Sequence, residues 1–247
     1  VTKVAIVTGG SRGIGRACAL KLAEAGYAVV VNYTSAAKAA DEVVAAIKAK
    51  GGTAVAVKGD VAKEADVLAI FAAADRLGPL AALVNNAGAV DQSSRVEDMG
   101  FARLRRMFDI NVIGTIICAR EAVKRMSTKH GGKGGAIVNI GSKAADLGSP
   151  GVYVDYAAAK GAVDSFTLGL GLEVAAEGIR VNAIRPGIIE TDIHASGGNP
   201  DRVAQMAPLL PMKRAGLPEE VAEAVLWMLS DAASYVTATS LNVSGGR

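Results

Sequence analysis

The chain has 247 residues, 51% of them hydrophobic, and its 27 basic and 24 acidic residues leave a net charge of +3. That length buries a substantial core and the composition argues against disorder. The small charge, with no basic run or aromatic-interleaved patch, argues against nucleic acid as a partner, and no uninterrupted apolar stretch of about 18 residues marks a membrane helix.

Residues Lys3–Thr8 form a short apolar run that enters a strand pattern at once, so no signal or transit segment is expected. The run ends in Gly9-Gly10-Ser11-Arg12-Gly13-Ile14-Gly15, and a helical pattern follows from Arg16 to Ala25. Ala28–Val31 reads as a second strand and completes a βαβ unit. Such a unit points phosphate oxygens at a helix N-terminus, where free N–H groups and the dipole favour an anion. The glycines allow the tight turn and close backbone approach, although the spacing is G-x-x-x-G-x-G rather than G-x-G-x-x-G. An NAD enzyme carries an acid at the end of the second strand, where it hydrogen-bonds the ribose. Asn32-Tyr33-Thr34-Ser35 stands there instead. With no carboxylate to repel a 2′-phosphate, Arg12 is expected to pair with it, and Asn32, Thr34 and Ser35 to donate hydrogen bonds. NADP(H) is expected over NAD.

The pattern continues with a helix over 36–50, a strand over 53–57, and the turn Gly59-Asp60-Val61. Asp60 is either the N-cap of the next helix or a contact to adenine, and the two roles are compatible. A helix over 63–77 and a strand over 81–84 lead to Asn85-Asn86-Ala87-Gly88. Strands alternating with helices predict a parallel sheet covered on both faces, with ligands gathered at the carboxyl ends of the strands. One long helix is expected over 101–126, with Asn111 inside it, then a fifth strand over 135–140 with Ser142 at its carboxyl end.

Tyr156 and Lys160 lie in a helical stretch, 152–176, and are four residues apart on one face. The lysine is expected to pull the phenol's pKa down, because a nearby positive charge favours phenolate. Tyr153 is a competing phenol, but Ala157 stands four residues after it. A sixth strand over 179–184 leads to Arg185-Pro186-Gly187 and then Ile188 to Thr191. Residues 192–217 are heavily punctuated by Gly and Pro and read as a mobile flap with a short helix. A last helix over 218–229 and a seventh strand over 240–243 complete the chain. Cys18 and Cys118 fall in apolar helical patterns and read as small buried hydrophobes. His130 and His194 share no ligand spacing with them, so no metal site is expected.

Taken in order, T-G-x-x-x-G-x-G at 8–15, N-N-A-G at 85–88, Asn111, Ser142, Y-x-x-x-K at 156–160 and P-G at 186–187 resemble the short-chain dehydrogenase/reductase family over essentially the whole chain. Within it the chain is similar to bacterial sugar or ribitol dehydrogenase-like members and to 3-oxoacyl-carrier-protein reductases. The resemblance implies a single-domain Rossmann-type fold of about seven parallel strands ordered 3-2-1-4-5-6-7, over residues 1–247, with a substrate flap at about 190–217. It implies that Tyr156 is the acid/base, Ser142 the hydrogen-bond donor to the substrate oxygen, and Lys160 the holder of the nicotinamide ribose. Asn111 would support a proton relay through water. Asp60 and Val61 would touch adenine, and Asn85, Ala87 and Gly88 would line the cofactor, as would Pro186, Gly187, Ile189 and Thr191. A cytoplasmic homotetramer acting on a small carbonyl or alcohol substrate is expected. An NAD-dependent sugar or polyol dehydrogenase is the alternative enzyme, and a non-catalytic dinucleotide-binding regulator the alternative of another class. Asp91, Ser93, Lys143, Tyr153, Gly187 and His194 are candidate substrate contacts.

Overall fold

The computed structural model describes residues 2–247; Val1 and the side chain of His194 lie outside what it describes. Seven runs rich in Val, Ile, Ala and Leu form the strands β1 (Val4–Val7), β2 (Ala28–Tyr33), β3 (Ala54–Lys58), β4 (Leu80–Asn85), β5 (Gly135–Ile140), β6 (Ile179–Pro186) and β7 (Ser240–Val243). They make one parallel sheet in the order β3-β2-β1-β4-β5-β6-β7, the order that the resemblance implies. The helices are α1 (Gly13–Glu24), α2 (Ala37–Ala49), α3 (Glu64–Asp75), α4 (Phe101–Phe108), α5 (Gly114–Met126), α6 (Ala144–Leu147), α7 (Val154–Val174), α8 (Ile193–Ser196), α9 (Arg202–Met206) and α10 (Pro218–Leu229). None among the described residues is long and apolar enough to cross a membrane.

The strands are apolar without alternation because both sheet faces are covered. Along β1, Ala5 and Val7 join the core formed with α1, α2 and α10, whereas Val4 and Ile6 join the core formed with α3, α5 and α7. The register Ile6↔Val30 and Ile6↔Leu83 keeps the same alternation across β2 and β4. Burial of each such Val, Leu or Ile stabilises by roughly 1.5–3 kcal/mol relative to exposure. Cys18 and Cys118 are buried free thiols, and burial pushes each up to about 12, so neither is a ready nucleophile. Because the chain winds from β1 outward to β3 and then returns to β4, a crevice opens at the carboxyl ends of β1 and β4.

The structure departs from the sequence reading at four places that bear on this crevice. Helix α1 starts at Gly13 rather than Arg16, so the glycine turn is part of its first turn. The long helix over 101–126 is split by a π-helical turn, Asp109–Ile113, which contains Asn111. Such turns recur at functional sites because they insert one residue without ending the helix. A four-residue helix, α6, follows β5 directly, and the punctuated segment carries two short helices, α8 and α9.

Candidate active site

The glycine turn is built against the end of β4. Thr8 Oγ1 accepts the backbone N–H groups of Asn86 and Ala87, each at 3.0 Å. Asn86 Nδ2 donates to the carbonyls of Thr8 at 2.9 Å and Gly9 at 3.0 Å. Gly13 has φ +52°, a conformation disfavoured for L side chains, and a Cβ there would lie 3.1 Å from Thr191. No side chain caps α1, so its first N–H groups face the cleft as an anion-binding end. Arg12, Thr34 and Ser35 are exposed beside this end, and Tyr33 is half-buried.

Ser142 follows β5 and Gly141. Its Oγ accepts the N–H of Ala144 at 3.1 Å, and it stands beside the phenol of Tyr156, whose pKa it acts to lower. Lys160, one turn further along α7, is buried and donates to the carbonyl of Ile140 at 2.7 Å. Its Nζ lies 5.6 Å from the centroid of the Tyr156 ring. The start of α7 is clamped by Arg103, which donates to both carboxylate oxygens of buried Asp155 at 2.8 and 3.2 Å and to the carbonyl of Gln92 at 2.7 Å. Asp155 also accepts the N–H of Tyr156 at 3.0 Å. Beneath the site, Asn85 donates to Asn139 at 2.9 Å and Asn139 donates to Thr167 at 2.9 Å, tying β4 and β5 to α7.

One cleft of about 640 Å³ joins these parts, from Arg12 and Tyr33 through Ser142 and Tyr156 to Arg202 and Arg247. Residues 9–247 match the family model described as enoyl-(acyl carrier protein) reductase. The chain is 55% identical over 245 residues to the uncharacterised oxidoreductase YgfF of Escherichia coli, covering 99% of each. It is 42% identical over 247 residues to a 3-oxoacyl-[acyl-carrier-protein] reductase of Synechocystis, covering 99% of this chain and 96% of the relative. Its structure is similar to that of a short-chain dehydrogenase from Burkholderia cenocepacia in complex with NADP. There the TM-score is 0.90 and the identity 32%, over 99% of this chain and 97% of the other. The chain belongs to the short-chain dehydrogenase/reductase family.

As a short-chain dehydrogenase/reductase, the protein is an oxidoreductase. Most residues read from its sequence as site residues line the one cleft: Gly9, Ser11, Arg12, Gly13, Ile14, Tyr33, Thr34, Ser35, Asp60, Val61, Ala87, Gly88, Ser142, Tyr156, Lys160, Pro186, Gly187, Ile189 and Thr191. Four do not. Asn32 is buried and spends its side chain on Gly9, Val57 and Gly59, so it is no donor to a phosphate. Gly15 packs against the carbonyl of Gly9 and has no room for a Cβ. Asn85 is engaged with Thr115 and Asn139 behind the cleft, and its neighbour Asn86 lines the cleft instead. Asn111 is fully buried and turned away. Its Oδ1 accepts the N–H of Ala89 at 3.2 Å, and its Nδ2 donates to the carbonyls of Ala89 and Met107, each at 2.9 Å.

The electrostatics also correct one expectation. Burial pushes the Tyr156 phenol up to about 12, against a lowering effect of the neighbouring Ser142, and Lys160 does not reverse this. Burial pulls the Lys160 ammonium down to about 8, partly opposed by Asp164. In a low-dielectric pocket, desolvation of each charged form exceeds the attraction between them.

Of the candidate substrate contacts, Asp91, Lys143, Tyr153 and Gly187 line the cleft and Ser93 does not; the side chain of His194 lies outside the described residues. Arg106, Arg202 and Arg247 line it without having been singled out from the sequence. Cationic residues flanking a flap are a weak signal, because most arginines are simply solvated.

Proposed function

We propose that the protein is an NADP(H)-dependent reductase of ketones or aldehydes with Tyr156 as its acid. The observation that carries this reading is the gathering of Ser142, Tyr156 and buried Lys160 in one cleft, with the lysine Nζ 5.6 Å from the centre of the tyrosine ring. The three stand in a cleft whose nucleotide end has Arg12 but no carboxylate at Tyr33, Thr34 or Ser35. The residues present fit the nucleotide. The uncapped end of α1 suits the pyrophosphate. Arg12, Thr34 and Ser35 would take the 2′-phosphate, with Tyr33 beneath them, and Asp60 and Val61 would face adenine. Gly9, Ser11, Gly13 and Ile14 would approach the phosphates, while Ala87, Gly88, Pro186, Gly187, Ile189 and Thr191 would line the nicotinamide end. When bound, NADPH supplies a hydride to the carbonyl carbon.

Ser142 and Tyr156 hydrogen-bond the substrate oxygen. Because burial keeps the phenol protonated, Tyr156 retains its proton until alkoxide charge develops, and then donates it from Oη. Lys160 holds the ribose, and its ammonium returns a proton to Tyr156. Alcohol oxidation runs through the same groups in reverse. Residues 1–247 act as one catalytic domain, the flap at about 190–217 closes over the substrate, and the protein assembles as a homotetramer.

The test is a comparison of initial rates with NADPH and NADH over a panel of ketones and aldehydes. A higher kcat/KM with NADPH is expected. A higher value with NADH transfers the reading to an NAD-dependent dehydrogenase. Tight cofactor binding with no turnover on any carbonyl or alcohol makes the protein a dinucleotide-binding regulator.

A further inference from the structure

Among the described residues, two arginines at the substrate wall of the cleft have no Asp or Glu partner. Arg202, the first residue of α9, stacks over the Tyr153 ring, 5.2 Å from its centroid. Tyr153 in turn meets Tyr156 edge to face, with centroids 6.3 Å apart. Arg202 therefore lies one aromatic ring beyond the proposed acid. Arg247 reaches the same cleft from beyond β7 and is half-buried. Both arginines line the same cleft, where burial disfavours the charge of Arg247 first and the positive charge of Arg202 disfavours it further.

The other cations of this wall are neutralised. Arg106 faces Asp91 at 3.7 Å, and Lys143 meets Asp146 at 2.7 Å. Among the described residues no Asp or Glu carboxylate forms an ion pair within 4.0 Å with Arg202 or Arg247, and the exposed Asp192 in the same wall pairs with neither. Two partly desolvated like charges without an Asp or Glu partner are unfavourable. An anionic ligand removes that cost, and guanidinium forks match carboxylate and phosphate oxygens bidentately.

We propose that Arg202 and Arg247 form an anion subsite, and that the carbonyl substrate carries a carboxylate or phosphate group a few bonds from its C=O. This rests on the reading of Tyr156 as the acid of a carbonyl reductase. It assigns to the cleft a second anion contact, separate from Arg12, which stands in the glycine turn after β1 and serves the nucleotide. Tyr153, which lines the cleft between the acid and Arg202, would flank the short carbon chain joining the two ends of the substrate.

The experiment uses matched probes on the full-length enzyme with NADPH. Linear 2-, 3- and 4-oxocarboxylates are compared with their methyl esters, and dihydroxyacetone phosphate with dihydroxyacetone. Charge-assisted pairing of an acid with arginine gives a preference of about 10- to 100-fold in kcat/KM for at least one acid over its neutral counterpart. The two arms show whether the acid is a carboxylate or a phosphate. In Arg202→Gln and Arg247→Gln the acid-to-neutral ratio falls toward one, chiefly through KM for the acid. Lys48→Gln, on the exposed face of α2, keeps the wild-type ratio. An equal preference for acids and neutral counterparts in the wild type, a ratio unchanged in both arginine variants, or a ratio that also collapses in Lys48→Gln overturns the subsite. If no probe turns over, calorimetric binding of the same pairs to the NADP+ complex decides. Tighter binding of an acid that is lost in the arginine variants supports the subsite although the reductase reading fails, and equal binding of acid and ester overturns it. Turnover dependent on Tyr156 without acid preference leaves the reductase reading standing and sinks only the subsite.

Discussion

The ammonium of Lys160 stands 5.6 Å from the centre of the Tyr156 ring and is anchored on the carbonyl of Ile140, the last residue of β5, at 2.7 Å. The lysine is thus held by the same strand end that presents Ser142. Burial moves the tyrosine to about 12 and the lysine to about 8. Both shifts disfavour charge, so the resting pair is a phenol next to an ammonium that gives up its proton more readily than an ordinary lysine. That is a suitable state for protonating a nascent alkoxide.

The first consequence is a pH profile. As pH rises through about 8 the proton held on Lys160 is lost, while Tyr156 stays protonated over the same range. The kcat for carbonyl reduction is expected to fall through that region, and alcohol oxidation to rise. Steady-state rates from pH 6.5 to 9.5 at saturating cofactor check this. A reduction profile that stays level across that range removes Lys160 from the proton path.

Stability carries the same signature with a defined sign. The folded-state pKa of Lys160 lies below its ordinary 10.5, at about 8. Between these values the unfolded chain binds more protons, so this group makes stability rise with pH there. Its penalty is fully present below pH 8 and amounts to about 3 kcal/mol, at 1.36 kcal/mol for each pKa unit. Urea unfolding of wild type and Lys160→Met should therefore show wild type gaining on the variant between pH 8 and 10.5. A constant difference between the two would refute the burial shift.

Cofactor choice is expected to turn on the exposed Arg12. Loss of a guanidinium contact to a 2′-phosphate costs about 1.5–3 kcal/mol, so Arg12→Ala should raise KM for NADPH by about 10- to 100-fold and leave NADH little changed. Tyr33→Asp, which restores a carboxylate at the end of β2, should shift preference to NADH. Equal losses for the two cofactors in Arg12→Ala would deny its phosphate role.

The clamp at the start of α7 makes a structural prediction. The Asp155 side chain is 0% exposed and that of its partner Arg103 is 14% exposed. Arg103→Ala leaves the carboxylate buried without a partner and is expected to destabilise by about 3–5 kcal/mol, with Asp155→Asn in the same chain recovering part of the loss. Denaturant midpoints for the single and double variants measure it. Equal stability of wild type and Arg103→Ala would show that solvent reaches Asp155.

The parts legible in the sequence were those set by local pattern or by topology. The β1–turn–α1 unit follows from an apolar run and its glycines, and the position of Ser142 follows from the rule that ligands gather at strand ends. The asparagines were not legible in this way. Asn32 spends its amide on residues 23 to 27 positions away, and Asn85 on residues 30 to 54 away. A buried polar side chain must find partners, and only the folded chain shows whether they are protein or ligand. The π-turn at Asn111 escaped because the helical pattern of 101–126 continues through it. Arg202 and Arg247 escaped because only the fold brings a flap helix and the residues beyond β7 to one wall.

The central claim is that Tyr156 donates the proton. Its most direct test is a single-turnover measurement with Tyr156→Phe, preloaded with NADPH and mixed with a carbonyl substrate that the wild type reduces. Loss of the acid should slow reduction by about 100- to 10,000-fold while the Kd for NADPH holds. A rate within about threefold of wild type at equal cofactor occupancy would contradict the account, because removing a group that acts in the transition state must lower kcat.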